Sequence, residues 1–435
     1  MSHDLWPLGL MRHRAGAPAP PVELLRPHAY EEIADVLRSG KRVVPVGGGS
    51  GVCGAVDPSS GDVLLDLSGL DGILEVDEHD LIARVQAGVN GLALEEELNR
   101  RGLTLGHFPS SLPVATVGGL VATRSSGQQS TLYGNVEDMV LGLKVMLPDG
   151  STVEPRAPVR SAVGPSLREL FIGSEGGLGV ILEVVLGLSR LPALTFGAGF
   201  DFRNLDQGLE ATREIIQRGL APLVMRLYDP EDTAFQGSEA TSCLLVLGFA
   251  GEPVVAEAQM DAAGAICRGH DGRPLGNGAF DRWRDRRFHL SAERLKASLE
   301  PPGSFVDTIE VAARWSALPS LHRRVKEVIA AHGAGLCHFS HAYRQGCCAY
   351  FTFAGSAESE AAAQAAYATC WEGTMQAALD LGATIGHHHG TGQARAPWVR
   401  RELDGWWPLW RKVKSAFDPA GVMNPNAVGG PEPPV

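Results

Sequence analysis

Aromatic residues make up only 6% of the 435-residue chain, and charged residues 20%. Lys and Arg number 38 against 50 Asp and Glu, a net charge of −12, so the basic excess that binds nucleic acid through phosphates is absent. No apolar run reaches the ~20 residues of a membrane span, and the first twenty positions lack the ~7–15-residue apolar core of a signal peptide. The last residues carry no peroxisomal tripeptide. The seven cysteines form no CxxC pair and no zinc spacing, which predicts reduced, buried thiols in a cytoplasmic protein. GxGxxG opening a helix and GxxxxGK[ST] are also missing, so the dinucleotide Rossmann and P-loop readings fail on spacing.

Glycine, by contrast, is abundant at 53 residues. It concentrates in three small-residue segments: VVPVGGGSGVCG from Val43, PSSLPVATVGG from Pro109 running on into VATRSSG, and IGSEGGLGVI from Ile172. A strand running into several glycines offers bare N–H groups to a diphosphate, and a side chain there would hold the phosphate away. Three such segments in the first half are explained together by one long ligand lying against all of them. A flavin dinucleotide has that length and chemistry.

The residues around these loops read as a helix over 29–39, a buried strand Arg42–Val46, and strands at Val63–Asp66, Ile73–Glu75, Leu81–Gln86, Val140–Leu147 and Val180–Leu188. Gly91–Arg101 suits an amphipathic helix. Residues 1–20 read as a loose, Pro-rich arm. Past residue 192 the texture changes to β-α-β patterns. Helices are predicted over 206–218, 253–268, 357–381 and 406–417, and residues 383–392 return to glycine and histidine. The domains expected are 21–192 for cofactor, 193–380 for substrate, and 381–428 returning to complete the cofactor site.

Two segments of the second half carry chemistry. Strand parity in LCHFSHAY and CCAYFTF, joined by Arg344-Gln345-Gly346, places His338, Ser340, Tyr350 and Thr352 on one face and Phe339, Phe351 and Phe353 on the other. With Tyr343 opposite Cys347, Tyr350 faces Ser340. The run His387-His388-His389 sits between glycines. His387 and His389 share one side of an extended chain, so three ligands for one ion would need a sharp turn, and no metal is expected. A polar wall that donates hydrogen bonds and changes charge near neutral pH is the alternative preferred. Trp406-Trp407-Pro408-Leu409-Trp410 reads as core packing or as an apolar entrance.

In order, PVGGGSGVCG, PSSLPVATVGGLVATRSSG, YGNVEDMVLGLKVMLPDG and GSEGGLGVILEVVL resemble the FAD-binding domain of the vanillyl-alcohol-oxidase type. The resemblance implies an α+β fold, with a two-subdomain PCMH-type FAD-binding domain, an α/β cap domain with an antiparallel sheet, and C-terminal helices returning to the first domain. It implies FAD contacts from Pro45, Val46, Gly47, Gly48, Gly49, Ser50 and Gly51, from Pro109, Ser110, Ser111, Leu112, Ala115, Thr116 and Gly119, from Ala122, Thr123 and Ser125, and from Glu175, Gly176, Gly179, Val180 and Ile181. Ser50 stands where some members tether the flavin to a His, so the FAD is expected to be non-covalent.

PLVMRLYDPEDTAF, SFVDTIEVAARW, CHFSHAYRQGCCAYFTF and IGHHHGTGQAR, over residues 25–425, resemble the alkylglycerone-phosphate synthase family of ether-lipid synthesis. The resemblance implies exchange of the acyl group of an acyl-dihydroxyacetone phosphate for a fatty alcohol through a flavin N5 adduct. It puts the acid/base role on Tyr350, with His387, His388, His389, Arg226 and Arg294 around it. Tyr350 could serve as base only with its pKa lowered by such cations. The family's long N-terminal region has no counterpart here, His338 stands where the family has an Arg, and Ala115 and Gly177 replace hydroxyl residues. The first two departures keep a second reading open: hydride transfer from a hydroxy acid or alcohol to the flavin. Partners expected are a small-molecule or lipid substrate and no nucleic acid, with peripheral membrane contact and a homodimer left open.

Overall fold

The computed structural model describes residues 4–237, 242–288 and 292–430. It divides into two compact units. The first comprises residues 1–126, 135–190 and 388–435, and the second residues 127–134 and 191–387.

In the first unit, β1 (Glu23–Leu25), β2 (Val43–Val46) and β3 (Val63–Asp66) form a parallel sheet in the order β1-β3-β2. Helix Tyr30–Arg38 packs on it through Ile33, Ala34 and Leu37, the i, i+1, i+4 stripe of an amphipathic helix. Glu32 closes its first turn by accepting from the Ala29 N–H at 3.0 Å. Strands β4 (Ile73–Asp77) and β5 (Ile82–Gln86) come next. β6 (Leu103–Thr104) pairs with β10 (Ser189–Arg190). β7 (Val140–Met146), β8 (Thr152–Val153) and β9 (Val180–Gly187) complete a five-stranded antiparallel sheet in the order β4-β5-β9-β7-β8. Seven of the eight β9 residues are buried, and Glu183, which pairs with Arg84, is the one charged side chain in an otherwise apolar strand.

The N-terminal arm is not loose. Pro7–Arg14 is helical, and Trp6, Pro7 and Met11 are buried. A Cβ on Gly54 would lie 2.5 Å from the Trp6 ring, so the indole seats directly on glycine backbone. The C-terminal segment returns as a structural member. Val43 bridges to Met423, its N–H donating to Val422 O at 2.7 Å.

The second unit is a seven-stranded antiparallel sheet of β11 (Leu194–Phe202), β12 (Val224–Tyr228), β13 (Cys243–Gly251), β14 (Arg273–Gly276), β15 (Ser304–Arg314), β16 (Ala334–Tyr343) and β17 (Gly346–Ser356). Its order is β14-β11-β13-β12-β16-β17-β15. Helices Leu318–Ala330 and Glu360–Asp380 pack on β15, β16 and β17. Beneath them lie Cys337, Phe339, Phe351 and Phe353, all at most 1% exposed. On the sheet's other face, helix Gly278–Arg286 seats Phe280 against Gly197 and Gly248, where a Cβ would come within 2.1 and 2.5 Å of the ring. Thr384 bridges to Ala312, so the chain leaves this unit at residue 388 rather than at the expected 381. No helix among the described residues is long and apolar enough to cross a membrane.

Candidate active site

In the first unit, β2 delivers the loop Gly47–Gly51. Among the described hydrogen bonds, none of its five N–H groups donates to a protein acceptor. Consecutive unspent N–H groups make an anion-binding concavity. The glycines also serve packing. A Cβ on Gly47 would stand 2.0 Å from Thr116 Oγ1, and one on Gly48 1.7 Å from the Val114 carbonyl oxygen, so this loop abuts the second one backbone to backbone. The second loop is a tight turn, closed by Leu112 N–H to Pro109 O at 3.0 Å and Ala115 N–H to Ser111 O at 2.8 Å. Thr116 caps the helix Val117–Ala122, Thr123 Oγ1 donates to Gly119 O at 3.0 Å, and Ser125 is buried.

Immediately before that loop, His107 is 1% exposed and neither ring nitrogen has a protein partner. Burial pulls its pKa down to about 3, so the ring is neutral. A neutral imidazole always carries one N–H donor and one acceptor, and leaving them unfilled costs about 1–3 kcal/mol. The row of unspent amides and the unfilled imidazole fit a phosphate-bearing, heteroaromatic cofactor.

Three of the residues expected at the cofactor turn their side chains to protein. Glu175 is buried, and its carboxylate accepts from the N–H groups of Thr391 at 2.6 Å, Gly392 at 3.0 Å and Val428 at 3.1 Å. Its own N–H donates to Ala122 O, and its carbonyl accepts from Asn424 Nδ2 at 2.8 Å. Every polar atom of Glu175 therefore stitches protein to protein. Burial pushes its pKa up, against the three N–H donors and the nearby Arg395 guanidinium, which pull it down. Val180 is a core side chain packed with Val63, Leu65 and Met146, and Ile181 is 6% exposed on the same strand. Gly176 lies under Pro45, where a Cβ would come within 2.9 Å of the ring, and at φ +74° it favours glycine on conformation as well.

In the second unit the sheet register assembles a polar row. Tyr228 on β12 pairs with His338 on β16, His338 with Tyr350 on β17, and Tyr350 with Glu310 on β15. The Tyr350–Ser340 pairing expected from the sequence is displaced by two residues. A bulge at His341, whose φ is +50°, and a turn with Tyr343 opposite Gly346 account for the shift. A two-residue slip keeps each side chain on its face. The imidazole of His338 and the phenol of Tyr350 stack at 4.7 Å between centroids.

Arg226, two residues before Tyr228, donates from Nη2 to His338 Nε2 at 2.6 Å. Its Nε–H is buried with no protein acceptor. On the far side of the ring, His338 Nδ1 lies 3.2 Å from Asp232 Oδ2. Burial and the adjacent guanidinium depress the His338 pKa to about 4. The Tyr350 pKa moves opposite to expectation. Burial raises it, Glu310 adds to the rise, and the Thr308 hydrogen bond and Arg226 offset it only in part. Tyr350 is thus a protonated phenol, a proton donor rather than a resting base.

The remaining expected residues scatter. Arg294 is exposed on helix Ala292–Leu299, off the strands that carry the row. His387 belongs to the second unit. There Tyr343 Oη lies 2.7 Å from its Nε2, and the His341 ring is 5.1 Å away, itself tied through Nδ1 to Ser130 Oγ at 2.7 Å. Cys348 Sγ is within 4.8 Å of a His387 nitrogen. His388 and His389 belong to the first unit and meet edge to face at 4.5 Å. Asp232, Glu310, His341 and His107 were not singled out from the sequence. For Glu310 a signal existed in the apolar–polar alternation of SFVDTIEV, whereas Asp232 reads as an ordinary acid in a helix's first turn.

A phosphate-fitting loop system in one unit and a proton-handling row on an antiparallel sheet in another define a flavoprotein of the two-domain PCMH type. Residues 21–155 match the family of FAD binding domains, and residues 191–428 match the family described as FAD linked oxidases, C-terminal domain. An alkyldihydroxyacetonephosphate synthase of Dictyostelium discoideum is 30% identical over 93% of this chain and 73% of its own. A protein of Escherichia coli O157:H7 that bears the name uncharacterized FAD-linked oxidoreductase is 32% identical over 84% of this chain and 79% of its own. A solved alkyldihydroxyacetonephosphate synthase structure superposes with a TM-score of 0.76 at 26% identity, covering 92% of this chain and 75% of that one. The chain belongs to the FAD-linked oxidase family and is a homologue of the alkyldihydroxyacetonephosphate synthases; it is an FAD-dependent enzyme.

Proposed function

We propose that the chain exchanges the acyl group of an acyloxy ketone with an anionic head group for a fatty alcohol, as in the alkylglycerone-phosphate synthase family. The observation that carries this reading is the row Arg226, His338, Tyr350, Glu310, with one guanidinium whose buried Nε–H is unfilled beside a protonated phenol. Bound FAD would supply an isoalloxazine able to act as nucleophile or as hydride acceptor; Gly47–Gly51 and His107 would hold it.

The chain's own groups then divide the work. Arg226 binds the anionic head through donors that protein acceptors leave free. Tyr350 lends its proton to the departing carboxylate and recovers it from the hydroxyl of the entering alcohol, so protons balance over a turnover. Glu310, 0% exposed and directly opposite, disfavours the phenolate and so keeps Tyr350 protonated in the resting site. A positioned proton donor of this kind contributes about 10²–10⁴-fold.

A second reading is hydride transfer from a hydroxy acid or alcohol. A neutral imidazole at His338 favours it, because its Nε2 lone pair could accept a hydroxyl proton once Arg226 moves off, and a 32% identical relative bears an oxidoreductase name. Anaerobic mixing of the FAD-loaded enzyme with candidate substrates separates the two. Exchange leaves the 450 nm absorbance intact and incorporates labelled alcohol into product. Lasting bleaching by a hydroxy acid, without incorporation, would reverse the assignment.

A further inference from the structure

The contacts of His338 settle its tautomer. A guanidinium can only donate and a carboxylate only accept; Arg226 Nη2 lies 2.6 Å from Nε2 and 3.4 Å from Nδ1, and Asp232 Oδ2 lies 3.2 Å from Nδ1, so Nε2 is the acceptor. The ring proton therefore sits on Nδ1 and is donated to Asp232 Oδ2. Asp232 is held fast: its N–H donates to Asp229 Oδ1 at 2.9 Å, and Gln236 Nε2 donates to its Oδ1 at 2.7 Å. The carboxylate thus meets the ring at Nδ1 and the guanidinium is nearest Nε2, and burial first, then the adjacent cation, keeps the imidazole neutral.

The other groups around the ring do not supply that proton. Tyr228 on β12 has its pKa pushed up to about 12. Tyr350 on β17 is likewise raised. Glu310 lies one strand further on β15, and Cys337, adjacent in sequence on β16 but on the opposite face, is a buried thiol with a raised pKa. Asp229 is already shared by His322 at 3.1 Å and Lys326 at 2.9 Å on helix Leu318–Ala330.

An oxyanion that takes the guanidinium, starting from its unfilled Nε–H, competes with Nε2 for Arg226 and screens its charge. The Nε2 lone pair is then free next to two negative groups, the oxyanion and Asp232. We infer that Asp232 and His338 make Arg226 a proton-coupled anion site, in which a carboxylate or phosphate head group takes over the guanidinium and His338 gains one proton from solvent as it binds. Asp232 is a positioning residue here; His338 is the group that titrates. The inference deepens the proposed function and rests on its placing of the head group at Arg226.

Titration calorimetry on the FAD-loaded enzyme at pH 7, in two buffers of different ionisation enthalpy, measures the proton directly. Sulfate and acetate serve as dianion and carboxylate probes, neither of which titrates near neutral pH or carries a hydroxyl to oxidise. The wild type should take up close to one proton per anion, and affinity should weaken about tenfold per pH unit as pH rises, the slope of one linked proton. His338→Gln keeps an acceptor for Arg226 but cannot be protonated, so it should bind with no uptake and a flat pH profile. Asp232→Asn keeps an acceptor for Nδ1–H without the charge, and it reports the same loss should the first variant not fold. Binding without uptake in the wild type, or uptake that persists in His338→Gln, overturns the coupling while leaving the anion site standing. Failure of both probes to bind, with Arg226→Gln indistinguishable from wild type, overturns the coupling and the proposed function's anion site together.

Discussion

Gly48→Ala is expected to break the cofactor domain at one point. The added Cβ would stand 1.7 Å from the Val114 carbonyl oxygen. Reaching ordinary contact requires the two loops to part by about 1.5–2 Å. The obstacle is main chain in a closed turn, so no side-chain rotation relieves it. Overpacking a well-filled site costs about 1–3 kcal/mol, and the upper end is expected here. At about 2–4 °C per kcal/mol for a unit of this size, the apo protein should melt some 6–12 °C lower. Gly51→Ala is the matched control. Its Cβ would meet only the Asp4 side chain, at 3.7 Å or more, an ordinary contact. Calorimetry on the two apo variants, with the 450/280 nm absorbance ratio after FAD loading, reads both effects. Gly48→Ala should lose stability and cofactor together, while Gly51→Ala keeps the wild-type melting point. Equal melting points for the two would refute the claim that loop contact dictates glycine at position 48.

Tyr350→Phe should remain yellow and FAD-loaded while kcat falls about 10²–10⁴-fold, measured by product formation at saturating substrate. Glu175→Gln exchanges a carboxylate accepting three N–H groups for an amide that presents a donor to them, and should cost about 3–5 kcal/mol in denaturant unfolding with parallel loss of FAD. His107 titrates near 6.5 unfolded and near 3 folded. Below pH 6.5 the unfolded chain binds a proton that the folded chain refuses, so stability is full above that pH and declines by about 1.4 kcal/mol per unit as pH falls. His107→Phe should remove that slope from urea midpoints measured between pH 7 and 5. All seven cysteines are buried, and burial raises the pKa of Cys243, Cys267, Cys337, Cys347 and Cys370, so native protein should titrate less than about one thiol with Ellman's reagent and denatured protein seven.

Much of this was legible in the residues. The apolar alternation through Phe339, Phe351 and Phe353 fixed which face of the β16–β17 hairpin is buried, because a buried face tolerates no odd-residue slip. The glycine-rich strand ends located the cofactor loops. The partner of Tyr350 was not legible: it depends on the bulge at His341, where a non-glycine residue takes a left-handed φ that no local motif announces. Asp232 escaped notice because its effect comes from a helix start meeting a strand more than a hundred residues away. The direction of the Tyr350 pKa was misjudged for a similar reason. The cation at Arg226 was visible in sequence, but the burial and the facing Glu310 that outweigh it were not. The N-terminal arm reads as loose because its composition is Pro-rich, yet Trp6 on Gly54, the buried Pro7 and Met11, and the Leu5 N–H donating to Gly51 O seat it.

The stitching around Glu175 bears on how the protein is made. Thr391, Gly392, Asn424 and Val428 close onto residues translated some two hundred positions earlier, and Asn424 and Asn426 also reach the carbonyls of Ala55 and Asp57. During synthesis the first sheet leaves the ribosome with that edge uncovered, and it must wait while the whole second sheet is produced before the closing strap arrives. A message truncated before codon 424 would therefore yield a chain whose nucleotide-holding half never seals. Such long-range closure is slow and leaves incomplete chains open to aggregation.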